Sequence, residues 1–299
     1  MSRWLRRGAG VLLVLLVIAG VGVGVGLRQA DAKMHRTVSV SVDPLALRDD
    51  AQALSHGQYL YHSRGCAECH GANGAGRTFV NDGGMHLAGP NITLGTGGVV
   101  SAYREEDWVR TLRHGVKPNG QPALIMPSED FNQYTDQDLA AVIAYVRHLP
   151  PVAGQGAVLE MPVPVRVLYA LGVMTDAAER INHQLPPPAP VPEAVSAAHG
   201  AYVANMCLGC HGAHLSGGAI PGAPPSWPPA ANLTPGSGSV ISRYASVDAF
   251  VQMLRSGRRP DGSAIQVMPF ETLKQLSDTD ARAVYAYLQT LPARPAGGR

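Results

Sequence analysis

The chain has 299 residues, enough for about two domains with cores of their own. Hydrophobic residues make up 45% and charged residues 15%, which excludes both a disordered chain and a polytopic membrane protein. A formal net charge of +2 gives no argument for nucleic acid as a partner, and four cysteines without further pairing candidates argue against a disulfide framework.

At the amino end, Arg3, Arg6 and Arg7 precede an uncharged run from Gly8 to Leu27, closed by Arg28. Twenty residues at a helical rise of ~1.5 Å cross ~30 Å of hydrocarbon, whereas the apolar core of a cleavable signal has ~7–15 residues. Length therefore favours a retained anchor whose short arginine-flanked end stays in the cytoplasm. Ala30-Asp31-Ala32 nevertheless offers a small-x-small cleavage site, and Gly20, Gly22, Gly24 and Gly26 weaken a helix, so a cleaved signal peptide remains open. Residues 1–28 thus read as a signal anchor or signal peptide and 29–50 as a tether. In the tether, Val38, Val40 and Val42 alternate with Ser39, Ser41 and Asp43 as a short strand or an extended segment.

Two repeats follow, at 51–152 and from 193 to the end. Adding 141 carries Cys66 to Cys207, Asn91 to Asn232 and Tyr103 to Tyr244; adding 142 carries Gly115 to Gly257, Met126 to Met268 and Asp138 to Asp280. A repeat this long means two copies of one domain. Each copy opens with a five-residue motif, Cys66-Ala67-Glu68-Cys69-His70 and Cys207-Leu208-Gly209-Cys210-His211, and the two motifs use every cysteine in the chain. Cys-x-x-Cys-His is the attachment signature of a c-type haem: two thiols reach the vinyl groups of one porphyrin, and the next imidazole reaches its iron. A dithiol redox centre or half of a zinc site uses the same cysteine pair, but neither requires the histidine that follows it twice here. Thioether attachment takes place outside the cytoplasm, so the chain is exported.

Each copy reads as helical, giving an all-α fold. A first helix runs into the motif from about Ser55 and Ser196. A second spans about 104–114 and 246–256, with Gly115 and Gly257 as left-handed caps. The last opens on acidic capping boxes, Thr135 with Asp138 and Ser277 with Asp280, and then carries Leu139, Val142, Ile143 and Val146, or Ala281, Val284 and Leu288, at helical spacing. Gly- and Pro-rich loops between the motif and the second helix would wrap the porphyrin.

Met126 and Met268 stand in matching loops, each before a proline, 56 and 57 residues after His70 and His211. A lone methionine is usually core filler; two in register, each serving one motif, are better explained as thioether ligands to iron. The iron ligands are then His70 and Met126, and His211 and Met268. A full coordination sphere leaves no place for substrate, which favours electron transfer over catalysis. Met85 and His86 are rivals without counterparts in the second copy. Met206 packs against the ring, and the remaining histidines, among them His56, His114, His183 and His199, read as surface or capping residues.

On these motifs both repeats resemble class I c-type cytochrome domains. The whole resembles the membrane-anchored dihaem cytochromes c of bacteria, which are similar to cytochrome subunits of periplasmic alcohol, aldehyde and gluconate dehydrogenases. The likeness covers about 51–152 and 193–292. It implies tandem class I domains behind an N-terminal membrane helix or signal, with two covalently bound haem c. It also implies an electron carrier and not an enzyme, on the periplasmic side of the inner membrane or in the periplasm. Such a carrier works between a dehydrogenase or quinol-oxidising complex and a terminal oxidase or soluble cytochrome. In such domains a proline after a glycine offers its carbonyl to the other ring nitrogen of the haem histidine. Gly89-Pro90-Asn91-Ile92-Thr93 resembles that segment, whereas Ala230-Ala231-Asn232-Leu233-Thr234 lacks the proline and leaves the carbonyl to Ala231. The dehydrogenase subunits typically carry three haems, and this chain has two motifs. A dihaem redox enzyme of the peroxidase or thiosulfate dehydrogenase type is the alternative; it needs an open axial position, against which both methionines argue.

Residues 153–192 belong to neither repeat. Val163 to Met174 is apolar around Arg166 and too short to span a bilayer, and five of the seven residues from Pro186 to Pro192 are proline, an extended spacer. The segment reads as a crossover packed on the two repeats, with docking of its apolar part on a partner or membrane as the sharper reading.

Overall fold

The computed structural model describes residues 3–224 and 226–298. A helix α1, Arg3–Met34, opens the chain; its stretch Arg6–Met34 is long and apolar enough, by length and composition, to cross a membrane. It does not stop at Arg28 but continues through Ala30-Asp31-Ala32, and Ala30 is fully buried. The expected tether forms no strand. It lies over the first repeat, with Val42, Leu45 and Leu47 packed on that core and the Val38 N–H donating to the Gly120 carbonyl at 2.8 Å.

The first repeat contains α2 (Ala51–Ser63), α3 (Cys66–His70), α4 (Glu105–His114), α5 (Ser128–Phe131) and α6 (Asp136–Arg147). The crossover carries α7 (Val163–Ala170) and α8 (Ala177–Arg180). The second repeat follows the first with α9 (Ala197–Ala204), α10 (Leu208–His211), α11 (Val247–Ser256), α12 (Phe270–Leu273) and α13 (Asp278–Thr290). Asp50 caps α2 through the Ala53 N–H, which starts that helix four residues earlier than Ser55. Gly115 and Gly257 end α4 and α11 in the left-handed region, as the sequence predicts.

Each repeat has its own core. Tyr61, Leu139, Val142, Ile143 and Trp108 centre the first; Val203, Leu215, Phe250, Leu254, Ala281 and Leu288 centre the second. In both, the first helix crosses the last at a glycine. A Cβ at Gly57 or Gly200 would collide with the carbonyl of Ala141 or Ala283, so no other residue lets the backbones meet.

The structure is mostly helical, but the all-α expectation misses a sheet of order β1-β2-β3. β1 (Arg77–Asp82) and β2 (Met85–Gly89) form a hairpin, and β3 (Val158–Glu160) of the crossover pairs antiparallel with β2. The Gly83-Gly84 turn, with φ of 59° and 78°, suits the right-handed twist of a two-residue hairpin. The corresponding loop of the second repeat carries Pro221, Pro224, Pro228 and Pro229, which cannot donate to a ladder, and among its described residues only an isolated bridge between Gly218 and Ala230 forms.

The repeats dock through the starts of α6 and α13. Thr135 and Ser277 cap these helices as predicted, accepting from the Asp138 and Asp280 N–H groups at 3.1 and 3.0 Å. The second half of each expected box is different: the carboxylate does not return to its own cap. Instead, the Tyr59 hydroxyl accepts from the Ser277 N–H at 2.9 Å and donates to Asp280 at 2.5 Å. Tyr202 does the same for the first repeat, accepting from the Thr135 N–H at 3.2 Å and donating to Asp138. His56 and His199 complete the pattern, meeting Asp138 and Asp280 of their own repeats at 2.6 and 2.7 Å. One buried ion pair breaks the symmetry, Arg64 with Asp280 at 2.6 Å.

Two outcomes follow. Gly57→Ala should destabilise the holoprotein by ~1–3 kcal/mol in denaturant titration through forced separation of α2 and α6, while Ala at exposed Gly156 should not. The second concerns pH. Burial would raise the Asp138 carboxyl, but bonds from His56 and Tyr202 outweigh it and hold it below its usual value; the same carboxylate raises His56. The carboxylate's contribution is complete above its unfolded pKa of about 3.9 and lost as pH falls through the lower folded value. The imidazolium's is complete below its unfolded pKa of about 6.5 and lost as pH rises through the raised folded value. The stability difference between wild type and His56→Gln should therefore be greatest between about pH 4 and 6.5 and shrink on either side. A difference independent of pH would contradict it.

Candidate functional sites

Both five-residue motifs fold into a single helical turn, α3 or the stretch ending in α10, which puts the histidine just after two cysteines that form no disulfide. Burial pushes the Cys66 and Cys207 thiols up to about 12 and Cys69 up to about 11, so a thiolate redox pair is disfavoured at neutral pH. Among the described residues no group of three or more His, Cys, Asp or Glu side chains is arranged to hold a metal, so the two pairs do not converge on a zinc site.

The His70 Nδ1 lies 2.9 Å from the Pro90 carbonyl, and the His211 Nδ1 2.8 Å from the Ala231 carbonyl. A carbonyl only accepts, so each Nδ1 carries a proton, and in the neutral ring Nε2 then holds the lone pair. Burial, against the weaker pull of the Pro90 carbonyl, lowers the His70 pKa and keeps that ring neutral. Loss of the proline in the second copy therefore costs nothing in geometry.

The reason is the next residue. Asn91 is fully buried; its amide donates to the Thr96 and Val152 carbonyls at 3.2 and 2.8 Å and its oxygen accepts from the Thr93 N–H and hydroxyl, both at 2.8 Å. Asn232 repeats this with Ser237, Arg294 and Thr234. These asparagines appear in the sequence only as matching positions; the Asn-x-Thr shared by both copies is the signal that would have identified them.

The methionine loops are also built alike. The Ala123 N–H donates to the Gly115 carbonyl at 2.7 Å and the Ile265 N–H to the Gly257 carbonyl at 2.9 Å, tying each loop to the end of α4 or α11. Met126 packs on the same core as Cys66. Met268 and His211 line one apolar cavity, together with Met206, Cys207, Arg243 and Arg259. The cavity and attachment turn of the second repeat fit a porphyrin, with the His211 imidazole and the Met268 thioether both on the lining.

The rivals lie elsewhere. Met85 and His86 are in β2, with His86 3.5 Å from Glu160. His114 and His183 are not surface groups but face each other, Nδ1 to Nδ1 at 3.0 Å, and burial with its neighbours pushes His114 down to about 4.

The cytochrome c family model matches residues 54–150, and the model of cytochrome c oxidase, cbb3-type, subunit III matches residues 193–288. Both repeats are cytochrome c domains. The chain accordingly takes two covalently bound haem c groups. It is 28% identical over 279 residues to the fructose dehydrogenase cytochrome subunit of Gluconobacter japonicus, covering 83% of this chain and 54% of that protein. It is 30% identical over 288 residues to the gluconate 2-dehydrogenase cytochrome c subunit of Pantoea cypripedii (84% and 63%). A third relative is the alcohol dehydrogenase (quinone) cytochrome c subunit of Gluconobacter oxydans, 28% identical over 287 residues (83% and 56%). The chain thus spans a little more than half the length of these relatives.

Asn232→Ala removes the hub beneath the Ala231 carbonyl and leaves buried backbone groups unpaired. It should destabilise the second domain by ~1–3 kcal/mol in denaturant titration followed by far-ultraviolet circular dichroism.

Proposed function

We propose that the chain is an electron carrier in which Cys66, Cys69, Cys207 and Cys210 hold the haem thioethers. His70 and His211 each give iron a nitrogen ligand, and Met126 and Met268 each give it a sulfur ligand. This reading is supported by the duplicated carbonyl-fixed histidine, with Met268 on the same apolar lining as His211 and Met126 packed on the same core as Cys66. When bound, haem supplies a reversible one-electron couple. The chain's own residues fix the imidazoles and exclude water, and the histidine and methionine of each domain would together leave iron no position for substrate. Arg243 and Arg259 would receive the porphyrin carboxylates of the second site, with Lys117 as the counterpart of Arg259 in the first.

The N-terminal helix is retained as an anchor that holds both domains on the periplasmic side of the bacterial inner membrane. The buried Ala30 and the unbroken helix through Ala30-Asp31-Ala32 support this, since a protease needs that segment extended and exposed. The names of the relatives support a dehydrogenase as electron donor; a terminal oxidase or soluble cytochrome would be the acceptor.

Met126→Ala and Met268→Ala should each remove one haem's share of the weak near-infrared sulfur-to-iron band, and the double variant should lose it entirely. An unchanged band would reject the ligand assignment. A high-spin ferric spectrum of the resting wild type, with peroxide turnover, would point to an enzyme with an open axial position.

A further inference from the structure

The crossover meets α1 at a definable depth. Gly26 and Ala30, one turn apart, are buried on the same face of α1, and a Cβ added at Gly26 would stand 3.4 Å from Val167 Cγ2 of α7. Small residues at such a crossing let two helices close together. The uncharged run of α1 ends at Leu27, so α7 lies level with its last apolar turn, two residues (~3 Å of helical rise) before Arg28.

A polar clamp then holds the next turns of the chain to the crossover. Lys33 pairs with Glu179 at 2.8 Å and donates to the Tyr169 carbonyl at 3.2 Å. Arg36 binds both oxygens of buried Asp176 at 2.8 Å, and the Tyr169 hydroxyl donates to the same carboxylate at 2.5 Å. With α7 fixed in this way, Pro164, Leu168 and Leu171 recur at helical spacing on an exposed face. Leu171 and Val173 are each 67% exposed, and Val25 of α1, next to Gly26, is 51% exposed.

We propose that this face of α7 and the turn after it enters the outer interfacial layer of the bilayer, as a second membrane contact beside the spanning helix. The proposal rests on the reading of α1 as a retained span. Lipid is the occupant because the helix that bears this face is seated through Val167 against the last apolar turn of α1 at Gly26, and because apolar side chains flanked by a polar clamp suit the boundary between headgroups and acyl chains. Two contacts held together by one clamp fix how both haem domains tilt over the membrane, which a single spanning helix does not.

The test uses the full-length holoprotein in phosphatidylcholine–phosphatidylglycerol vesicles containing a phosphatidylcholine with a diazirine near the headgroup end of one acyl chain. After illumination, lipid adducts are mapped by mass spectrometry. Adducts are expected on α1 and on the peptide containing Leu168, Leu171 and Val173, and not on the loop that carries Leu94, which is apolar and 64% exposed but lies in the first domain. Leu171→Glu combined with Val173→Glu should abolish the adducts on α7 and keep those on α1. Adducts on α1 alone in the wild type would overturn the proposal, return this face to a protein partner and leave the anchor standing. Adducts on neither would overturn both.

Discussion

Two tyrosine hydroxyls hold this protein in its shape. The first N–H groups of any helix lack intrahelical partners, and at α6 and α13 one of them is satisfied by the opposite domain: Tyr202 reaches Thr135 and Asp138, and Tyr59 reaches Ser277 and Asp280. Each hydroxyl accepts and donates at once, so neither can be withdrawn without leaving a buried amide and a buried carboxylate short of a partner. The haem attachment turns abut the same seam. Glu68, inside the first motif, accepts from the Thr272 hydroxyl at 3.1 Å, and Asn205, two residues before Cys207, donates to the Asp130 carbonyl at 3.0 Å. Fixing the helix ends therefore also fixes the two attachment turns relative to each other.

The seam has a near-twofold character that one residue breaks. Of the two seam carboxylates Arg64 pairs with Asp280, and both side chains are almost wholly buried. Burial would lower the guanidinium pKa, yet the Asp280 charge more than offsets it, and Arg64 in return helps hold Asp280 below its usual value against desolvation. A buried pair of this kind is weak evidence for net stability, because desolvation consumes much of the attraction; its stronger effect is to penalise any arrangement that separates the partners. The two domains are therefore held in one register.

The sequence was most legible where the physics is local. The haem motifs, both N-cap residues and the left-handed glycines each depend on a few neighbours in the chain, and the structure has them where the spacing predicts. The seam was not legible from capping alone, because a capping box states which groups need partners and not which molecule surface supplies them. A trace of it was present: His56-Gly57-Gln58-Tyr59 and His199-Gly200-Ala201-Tyr202 are the same pattern. They are offset by 143 where the motifs are offset by 141, so an alignment anchored on cysteine passes over them. The hairpin had its own signal in Asp82-Gly83-Gly84 between β-forming residues, obscured because the prolines of the second copy make the same region a loop there.

The duplication also separates what a haem pocket requires from what it tolerates. Pro90 became Ala231 without loss of the histidine's partner, because the acceptor is main chain and its position is set by the buried asparagine beside it. A strand pair in one copy became a proline-rich loop in the other, and the crossover supplies β3 to only one of them. What stays constant is the carbonyl under the imidazole, the glycine at the helix crossing and the loop that carries methionine. The copies thus differ in the loop between the attachment turn and the second helix, while the tyrosine seam and the asparagine hubs hold the two sites alike.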